Sequence, residues 1–386
     1  MTLVRSCRKT LVSCVVVVAA LFGGAGSALL GICGPFTDVS DAAFCPFVLE
    51  IFILGITTGT TPTTYDPAGT VNRLQMAAFL SRSVDGVLKR GGRRAALNRF
   101  WTTEANASLA LTTVGSLPEL LVSDGEDIWV SNSGTISRVH GSDGKLLQTW
   151  TGAAEAIGML SAMGKVFATG NTNPGALYRI DPSQPAGGVT TVASDLGIGP
   201  FGMTYDGSRI WTTGNGSLSI VTPGAAIPWT TTTVTTGFDR LNGMLYDGAN
   251  VWATNGNPPA LLKLDSAGAI LQTVTLGGSV QFPIFDGSNI WVPNFNISTV
   301  SVVRASNGVV LATLTGNGLN QPYAAAFDGQ RILITNDAGH SVSLWKAADL
   351  TPLGSFGTGA GNPLGACSDG INFWIVLSST GQLARF

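Results

Sequence analysis

Residues 247–255 read Asp-Gly-Ala-Asn-Val-Trp-Ala-Thr-Asn, and variants of this segment recur from Asp124 to Trp374. The Asp-Gly pair, replaced once by Met-Gly, begins at seven positions: Asp124, Met163, Asp206, Asp247, Asp286, Asp328 and Asp369. Successive positions lie 39, 43, 41, 39, 42 and 41 residues apart. A bulky residue follows each of them by four or five positions: Trp129, Phe167, Trp211, Trp252, Trp291, Leu333 and Trp374. A repeat of this length indicates a β-propeller or a solenoid.

Each repeat divides into four short strands, as one of them illustrates. Residues 243–246, 250–254, 261–265 and 270–276 form strand-like runs separated by turn residues. Four strands per repeat are typical of a propeller blade, whereas an α-solenoid would need helical periodicity. The Asp-Gly pair fits a hairpin turn that needs a positive φ, and we expect the tryptophans to pack between neighbouring blades. The sequence therefore predicts a mainly β fold, with a seven-bladed β-propeller over residues 101–386.

The last repeat contains only three strands before the sequence ends at Phe386. The segment Ala107–Val114 precedes the first Asp-Gly pair and alternates as a strand does. We therefore expect this segment to pair as the outer strand of the seventh blade. That pairing would close the ring and remove its free sheet edges.

The second strand of four repeats ends in a shared pattern. It reads Trp129-Val-Ser-Asn132, Trp252-Ala-Thr-Asn255, Trp291-Val-Pro-Asn294 and Leu333-Ile-Thr-Asn336. The pattern resembles the YVTN-type β-propeller repeat, which is named for its Tyr-Val-Thr-Asn segment and occurs in microbial surface-layer proteins. The resemblance implies the propeller fold and a location at the cell surface.

Six of the seven repeats place an asparagine at the turn between their second and third strands. These candidate binding residues are Asn132, Asn171, Asn215, Asn255, Asn294 and Asn336. In a propeller this turn lies on the same face as the loops that join blades, so a ring of amides there could hydrogen-bond a glycan or a protein. The alternative is structural, because asparagine tolerates left-handed turns and bonds to its own backbone.

A small helical module precedes the repeats, over residues 34–85. Apolar residues recur at helical spacing from Phe44 to Phe52, with Asp41 placed to cap this helix and Gly55 to end it. A loop rich in Gly, Thr and Pro follows. The pattern predicts a second amphipathic helix from about residue 74 to residue 87.

This helix–loop–helix unit resembles the S-layer homology (SLH) domain. The matching stretches are Phe36-Thr-Asp-Val39, Phe44-Cys-Pro-Phe47, Leu54-Gly-Ile-Thr-Thr-Gly59, Tyr65-Asp-Pro67 and Val71-Asn-Arg-Leu-Gln-Met-Ala-Ala-Phe-Leu80. The resemblance implies non-covalent attachment to a cell-wall or outer-envelope polymer. The family's polymer-binding segment usually reads Thr-Arg-Ala-Glu, and here Asn72-Arg73-Leu74-Gln75 stands in its place. The resemblance makes Arg73 the candidate for pairing with an acidic sugar substituent, and the alternative is a solvated arginine at a helix start.

The N-terminus carries the pattern of an export signal. Basic residues precede an uncharged run that begins at Leu11, and a cluster of small residues follows. This pattern predicts a signal peptide over residues 1–28, cleaved after Ser27 or Ala28. The alternative is an uncleaved anchor, because residues 11–32 are long enough to span a bilayer. Either form predicts an extracytoplasmic protein, in the cell envelope, at the cell surface or secreted.

The cysteines and the basic linker add two expectations. Cys33 and Cys45 could form a local disulfide in an oxidising compartment, which leaves Cys367 as a small buried hydrophobe. Residues 86–100 contain five lysines and arginines and form the predicted linker between the module and the propeller.

The composition excludes several classes of function. The chain has a net charge of −2, so no general nucleic-acid footprint is expected. It contains two histidines and no paired-cysteine zinc motif, so we expect no metal site, no cofactor and no catalytic residues. The spacing of the Asp-Gly pair and the tryptophan is, however, loosely similar to that of virginiamycin B lyase, a seven-bladed enzyme.

The expected function is therefore that of an envelope-attached protein whose non-catalytic propeller presents a binding or scaffold surface. The alternative is a secreted propeller enzyme, a lyase or hydrolase that acts on a polymer or a small molecule. Acidic side chains with raised pKa values at the propeller mouth would favour the enzyme. A neutral mouth lined by Asn and Thr would favour the binding module.

Overall fold

The computed structural model describes residues 33, 35–41, 43–53, 56–90 and 110–386. The predicted signal peptide and residues 91–100 of the predicted linker lie outside this part of the chain. The chain divides into two compact units, Met1–Phe100 and Trp101–Phe386.

The first unit contains two helices, α1 (Cys45–Ile53) and α2 (Arg73–Arg90). The Asp41 carboxylate accepts the backbone N–H of Ala43 at 2.8 Å, in the turn directly before α1 and not in the helix that Asp41 was expected to cap. The helix α2 runs to Arg90, and so includes the first five residues of the segment predicted as a linker. Neither helix, within the described residues, has the length and apolar character needed to cross a membrane.

The core of this unit forms around the buried ring of Phe36. A disulfide joins Cys33 to Cys45, as predicted, and Val48 packs in the same cluster. The expected apolar face of α1 differs in part, because Phe44 and Phe47 are 62% and 63% exposed. Phe44 precedes the helix, and Phe47 lies about 100° around its axis from Val48, so neither side chain points into this core.

The second unit, within residues 110–386, contains 28 short strands in seven antiparallel sheets of four. In chain order they are β1 (Ala110–Thr113), β2 (Leu121–Ser123), β3 (Asp127–Asn132), β4 (Gly134–His140), β5 (Leu146–Ala153), β6 (Ala156–Ala162), β7 (Lys165–Gly170), β8 (Gly175–Ile180), β9 (Thr190–Leu196), β10 (Met203–Tyr205), β11 (Ile210–Gly214), β12 (Ser217–Thr222), β13 (Thr230–Val234), β14 (Leu241–Tyr246), β15 (Val251–Gly256), β16 (Pro259–Leu264), β17 (Ile270–Thr275), β18 (Ile284–Phe285), β19 (Asn289–Asn294), β20 (Thr299–Arg304), β21 (Val310–Leu314), β22 (Pro322–Phe327), β23 (Arg331–Asn336), β24 (Ser341–Lys346), β25 (Pro352–Gly357), β26 (Pro363–Ser368), β27 (Phe373–Leu377) and β28 (Gln382–Arg385).

Each sheet is one blade of a seven-bladed propeller, which confirms the predicted fold. Blade 1 pairs its strands in the order β2-β3-β4-β5, and blades 2 to 6 follow the same order with the next strands of the chain. Blade 7 pairs in the order β26-β27-β28-β1. The strand β1 lies antiparallel to β28, from Ala110 opposite Arg385 to Thr113 opposite Gln382. The predicted closure of the ring by the segment before the first repeat is therefore confirmed over residues 110–113.

In five of the seven blades, the aspartate of the Asp-Gly turn accepts a hydrogen bond from the tryptophan of the next strand. In blade 4, one carboxylate oxygen of Asp247 accepts the backbone N–H groups of Ala249 and Asn250 at 2.8 and 2.7 Å. The other accepts the indole N–H of Trp252 at 2.7 Å. Gly248 has the predicted positive φ, 96°. The aspartate therefore shapes the turn and also satisfies the polar atom of a buried ring.

Four further blades repeat this bond between a carboxylate and an indole. The distances are 2.7 Å for Trp129, Trp211 and Trp374 and 2.8 Å for Trp291. In blade 3, burial alone would raise the pKa of Asp206. The hydrogen bonds from the Trp211 indole and from the backbone of Arg209 and Ser208 instead lower that pKa to about 2. The turn carboxylate of blade 3 is therefore ionised at neutral pH.

The tryptophans pack between blades, as predicted. Trp211 of blade 3 lies in one cluster with Met244 and Val251 of blade 4, and Trp252 of blade 4 lies in one cluster with Ile290 of blade 5. Each of these indoles is at most 1% exposed. The largest apolar side chains thus hold one blade against the next.

We expect Trp252→Phe to lower the free energy of unfolding by about 1–3 kcal/mol more than Trp150→Phe. Both changes remove an indole that is at most 4% exposed. Only the first leaves a carboxylate oxygen, Oδ2 of Asp247, without its donor, because the Trp150 Nε1 has no hydrogen-bond partner in the described structure. Urea unfolding of the two variants and the wild type measures the difference. Equal losses in the two variants would contradict a stabilising role for the carboxylate–indole bond.

Candidate binding site at the propeller mouth

One residue of each blade lies where a blade-joining loop enters the inner strand. These residues are Glu119, Ile157, Phe201, Asn242, Gln281, Tyr323 and Leu364. At five of them a hydroxyl group of the preceding blade donates to the carbonyl. Ser131, for example, donates to the carbonyl of Ile157 at 2.7 Å, and Thr335 donates to that of Leu364 at 2.6 Å. Because the inner strands surround the propeller axis, the seven positions form a ring at one end of the central channel. We call this end the mouth.

A row of side chains crosses the mouth. The Tyr323 hydroxyl donates to the Glu119 carboxyl at 3.1 Å. The ring of Tyr323 lies 5.2 Å from that of Phe282, which lies 5.4 Å from that of Phe201. The four residues, which we call the mouth row, come from blades 1, 6, 5 and 3. Two of the three contacts, Glu119 with Tyr323 and Phe282 with Phe201, join blades that are not adjacent. All four are half-buried and therefore partly accessible to a ligand.

The mouth row contains an acid and a phenol with perturbed proton affinities. Burial raises the pKa of Glu119, although the hydrogen bond from Tyr323 opposes that shift. Burial and the adjacent Glu119 charge raise the pKa of Tyr323 well above its ordinary value, and the charge of Asp337 adds to the effect. A carboxyl with a raised pKa beside a phenol that keeps its proton can transfer a proton to or from a bound molecule.

The predicted ring of six amides is mostly turned inward. Asn132, Asn255, Asn294 and Asn336 are at most 3% exposed, and their side chains donate to their own hairpins. The Asn294 amide, for example, donates to the Ser301 hydroxyl at 2.9 Å. These four asparagines therefore have the contacts expected if their role is to stabilise their own turns. Asn171 is half-buried and Asn215 is exposed, and ligand binding by these two stays a prediction.

The two histidines lie in different blades and do not meet. The Nδ1 atom of His340 lies 3.1 Å from the carbonyl oxygen of Gly361, in a loop between β23 and β24. The Nδ1 atom of His140 lies 3.0 Å from the Asp143 carboxylate, at the end of β4. Within the described residues, no group of three or more His, Cys, Asp or Glu side chains could hold a metal ion.

In the helical module, Arg73 is exposed in the first turn of α2. Asn72 and Gln75 cap this helix reciprocally, because each side-chain oxygen accepts the backbone N–H of the other residue at 2.9 Å. A groove of about 610 Å³ lies beside α2 and is lined by Gln75 and Arg82 among others. The Arg82 guanidinium donates to the carbonyl of Ile56 at 3.0 Å.

Sequence reasoning missed the mouth row because its partners are far apart in the chain, by 204 residues for Glu119 and Tyr323. A usable signal was present. Prolines directly precede Glu119, Phe201, Tyr323 and Leu364, and these prolines recur at a fixed distance before the Asp-Gly turn. The residue after each of them marks the mouth.

Comparison with known proteins supports the fold. No family model and no curated protein matches the chain. Among solved structures, a catalytically inactive variant of virginiamycin B lyase from Staphylococcus aureus, determined with quinupristin, is 15% identical, with a TM-score of 0.59 over 72% of this chain and 99% of that one. Hydrazine synthase from Kuenenia stuttgartiensis is 14% identical, with a TM-score of 0.60 over 71% and 97%. The WD40 propeller domain of Doa1 is 10% identical, with a TM-score of 0.59 over 72% and 95%.

These comparisons correct one expectation. The propeller was expected to be non-catalytic because the sequence contains only two histidines. Solved structures that share its fold nevertheless include lyases. At 15–16% identity the likeness carries the fold and not an activity. The fold therefore gives no ground for excluding catalysis. The residue that bears on this question is Glu119, the acid of the mouth row.

The raised pKa of Glu119 predicts a pH-dependent effect of Glu119→Gln. The carboxyl of Glu119 holds its proton more tightly in the folded protein than in the unfolded chain. Ionisation of Glu119 therefore lowers the free energy of unfolding as the pH rises above 4.5, the ordinary pKa of a glutamate. Glutamine does not ionise, so the free energy of unfolding of the variant does not fall in this way. We therefore expect its stability relative to wild type to increase from pH 4 to pH 7, measured by urea unfolding.

The control for this experiment is Glu126→Gln, which removes an exposed glutamate from the turn of the same blade. A stability difference between Glu119→Gln and wild type that stays constant over this pH range would contradict an acid held in a partly dehydrated site.

Proposed function

We propose that the chain is an exported protein, held at the cell envelope by its helical module, whose propeller binds a ligand at the mouth. The mouth row carries this proposal. It brings two phenyl rings, a phenol and a carboxyl from four blades to one partly exposed place. Aromatic faces favour flat or apolar parts of a ligand, and the carboxyl and phenol orient its polar groups. A glycan or a protein side chain offers both kinds of group.

Four features of the N-terminal unit support this attachment through the helical module, which we call the tether. The sequence begins with the pattern of an export signal, and the Cys33–Cys45 disulfide fits an oxidising compartment. The helix–loop–helix order of the SLH family is present. Arg73 stands at the position of that family's polymer-binding arginine, and its guanidinium suits carboxylate ligands.

The tether predicts that Arg73→Ala lowers retention of the full chain on purified, insoluble envelope polymer. Loss of a charge-assisted hydrogen bond of about 1.5–3 kcal/mol corresponds to a roughly tenfold to hundredfold weaker attachment. Co-sedimentation at low salt measures it. A matched control, Arg304→Ala on the exposed propeller surface, should be retained as wild type is. Equal retention of Arg73→Ala and wild type would remove Arg73 from the tether.

A second candidate function is catalysis at the same site, by a lyase or a hydrolase. The specific observation in its favour is Glu119, a carboxyl whose pKa is raised by burial. General acid–base catalysis works best when the catalytic pKa lies near the working pH. In this function Glu119 would transfer the proton, while Tyr323 and the phenyl rings would position the substrate.

Incubation with solubilised envelope polymer separates the two functions. If the propeller acts on this polymer, mass spectrometry detects new fragments with wild type, and Glu119→Gln reduces them by about 10²–10⁴-fold, the usual contribution of a general acid or base. Fragments formed equally by both proteins would exclude Glu119 as the acid or base. The absence of fragments with wild type would contradict action on the polymer and leave binding as the function.

A further inference from the structure

The mouth row carries negative charge that no cation of the described residues balances. Glu119 forms no ion pair there, and its hydrogen-bond partner is the neutral phenol of Tyr323. A second carboxylate, Asp337, lies close enough to Tyr323 for its charge to act on that phenol. The amide of Asn362, which is also neutral, donates to Asp337 at 2.7 Å. A ligand that balances this charge has to be a cation.

The neutral polar groups beside the row offer hydrogen-bond acceptors. Asn242 and Gln281 are the half-buried ring residues of blades 4 and 5. The amide nitrogen of Asn242 donates to a backbone carbonyl at 2.7 Å, and that of Gln281 donates to a hydroxyl at 3.0 Å. Within the described residues, no donor bonds to either amide oxygen. Since an amide oxygen can only accept, the two oxygens favour a ligand that carries N–H or O–H groups.

Aromatic rings adjoin the same groups. Phe282 directly follows the ring residue of blade 5, where the neighbouring blades 4 and 6 have the small residues Gly243 and Ala324. Phe295 extends the row, because its ring stands at 75° to that of Tyr323 with the ring centres 6.4 Å apart. The face of an aromatic ring attracts a cation, and it also offers apolar surface to the C–H groups of a ligand.

These three features favour a ligand that combines positive charge, several donors and an apolar face. A sugar with a free amine has all three on one rigid ring: an ammonium group, hydroxyl groups and a face of C–H bonds. A lysine side chain carries the same charge, but its ammonium group is its only donor. Its flexible chain also loses more conformational entropy on binding. An amino sugar therefore fits the mouth better than a lysine of a protein partner.

We propose that the mouth binds a glycan that contains amino sugars with free amines. The ammonium group lies at Glu119, the C–H face of the sugar lies against the aromatic rings, and hydroxyl groups donate to Asn242 and Gln281. This inference rests on the ligand site proposed above and names the class of its ligand.

Two matched oligosaccharides test the charge. The full chain is titrated at pH 6, by isothermal titration calorimetry, with a tetramer of β-1,4-linked glucosamine and with the fully N-acetylated tetramer. The two probes share their linkage and length, but only the first carries ammonium groups. We expect the glucosamine tetramer to bind at least about tenfold more tightly, because it alone forms a charge-assisted hydrogen bond with the carboxylate.

Two variants assign the binding to the mouth. Glu119→Gln keeps the shape of the side chain but removes its charge. It should weaken binding of the glucosamine tetramer by about tenfold to hundredfold and leave binding of the acetylated tetramer unchanged. Phe282→Ala should weaken binding of both, since both lay a sugar face on the rings. The matched control is Glu126→Gln, at an exposed glutamate in the turn of blade 1, which should bind both tetramers as wild type does.

Equal binding of the two tetramers by wild type, weakened in both cases by Phe282→Ala, would overturn the amino sugar and keep the mouth as a glycan site. Equal affinities of Glu119→Gln and Glu126→Gln for the glucosamine tetramer would also overturn it. Tighter binding of tetralysine than of the glucosamine tetramer would assign the mouth to a protein side chain. Binding of none of the three probes would contradict the glycan and the protein ligand alike, and with them the proposed ligand site. If Glu119→Gln fails to fold, the comparison of the two tetramers on wild type decides.

Discussion

The hydrogen bond between the turn carboxylate and the indole underlies the rest of the propeller. Tryptophan is the largest side chain available to fill the space between two sheets, but a buried indole N–H without an acceptor is costly. An aspartate five residues earlier supplies the acceptor and closes the turn at the same time. One residue pair thus determines the hairpin and the packing between blades. Blades 2 and 6 have Phe167 and Leu333 instead, which have no polar atom to satisfy.

The repeat leaves the two ends of the channel free to differ. At the mouth, four of the blades supply two phenyl rings, a phenol and a carboxyl. Deeper in the channel the inner strands present methionine, alanine and branched apolar residues. Glu119 lies at the mouth end of this channel, and its burial there raises the pKa of its carboxyl.

Much of the fold was predictable from local sequence, whereas the candidate site was not. The period of the Asp-Gly pairs, the four strands of each blade and the closing strand all follow from residues near one another in the chain, and the structure confirms them. The mouth row depends on which blades face each other across the axis, which no local pattern encodes. The asparagine turns were identified correctly, but a turn motif does not determine which way an amide points. Similarly, helical spacing around Phe44 and Phe47 does not show where a small core ends.

The pairing of β1 with β28 makes the first and last strands of the propeller partners. No blade order along the chain can complete the ring until Arg385 is present beside Ala110. Such a contact has nearly the greatest possible sequence separation, which slows folding. Because the chain is synthesised from its N-terminus, the ring of blades therefore stays open until the residues of β28 have been made.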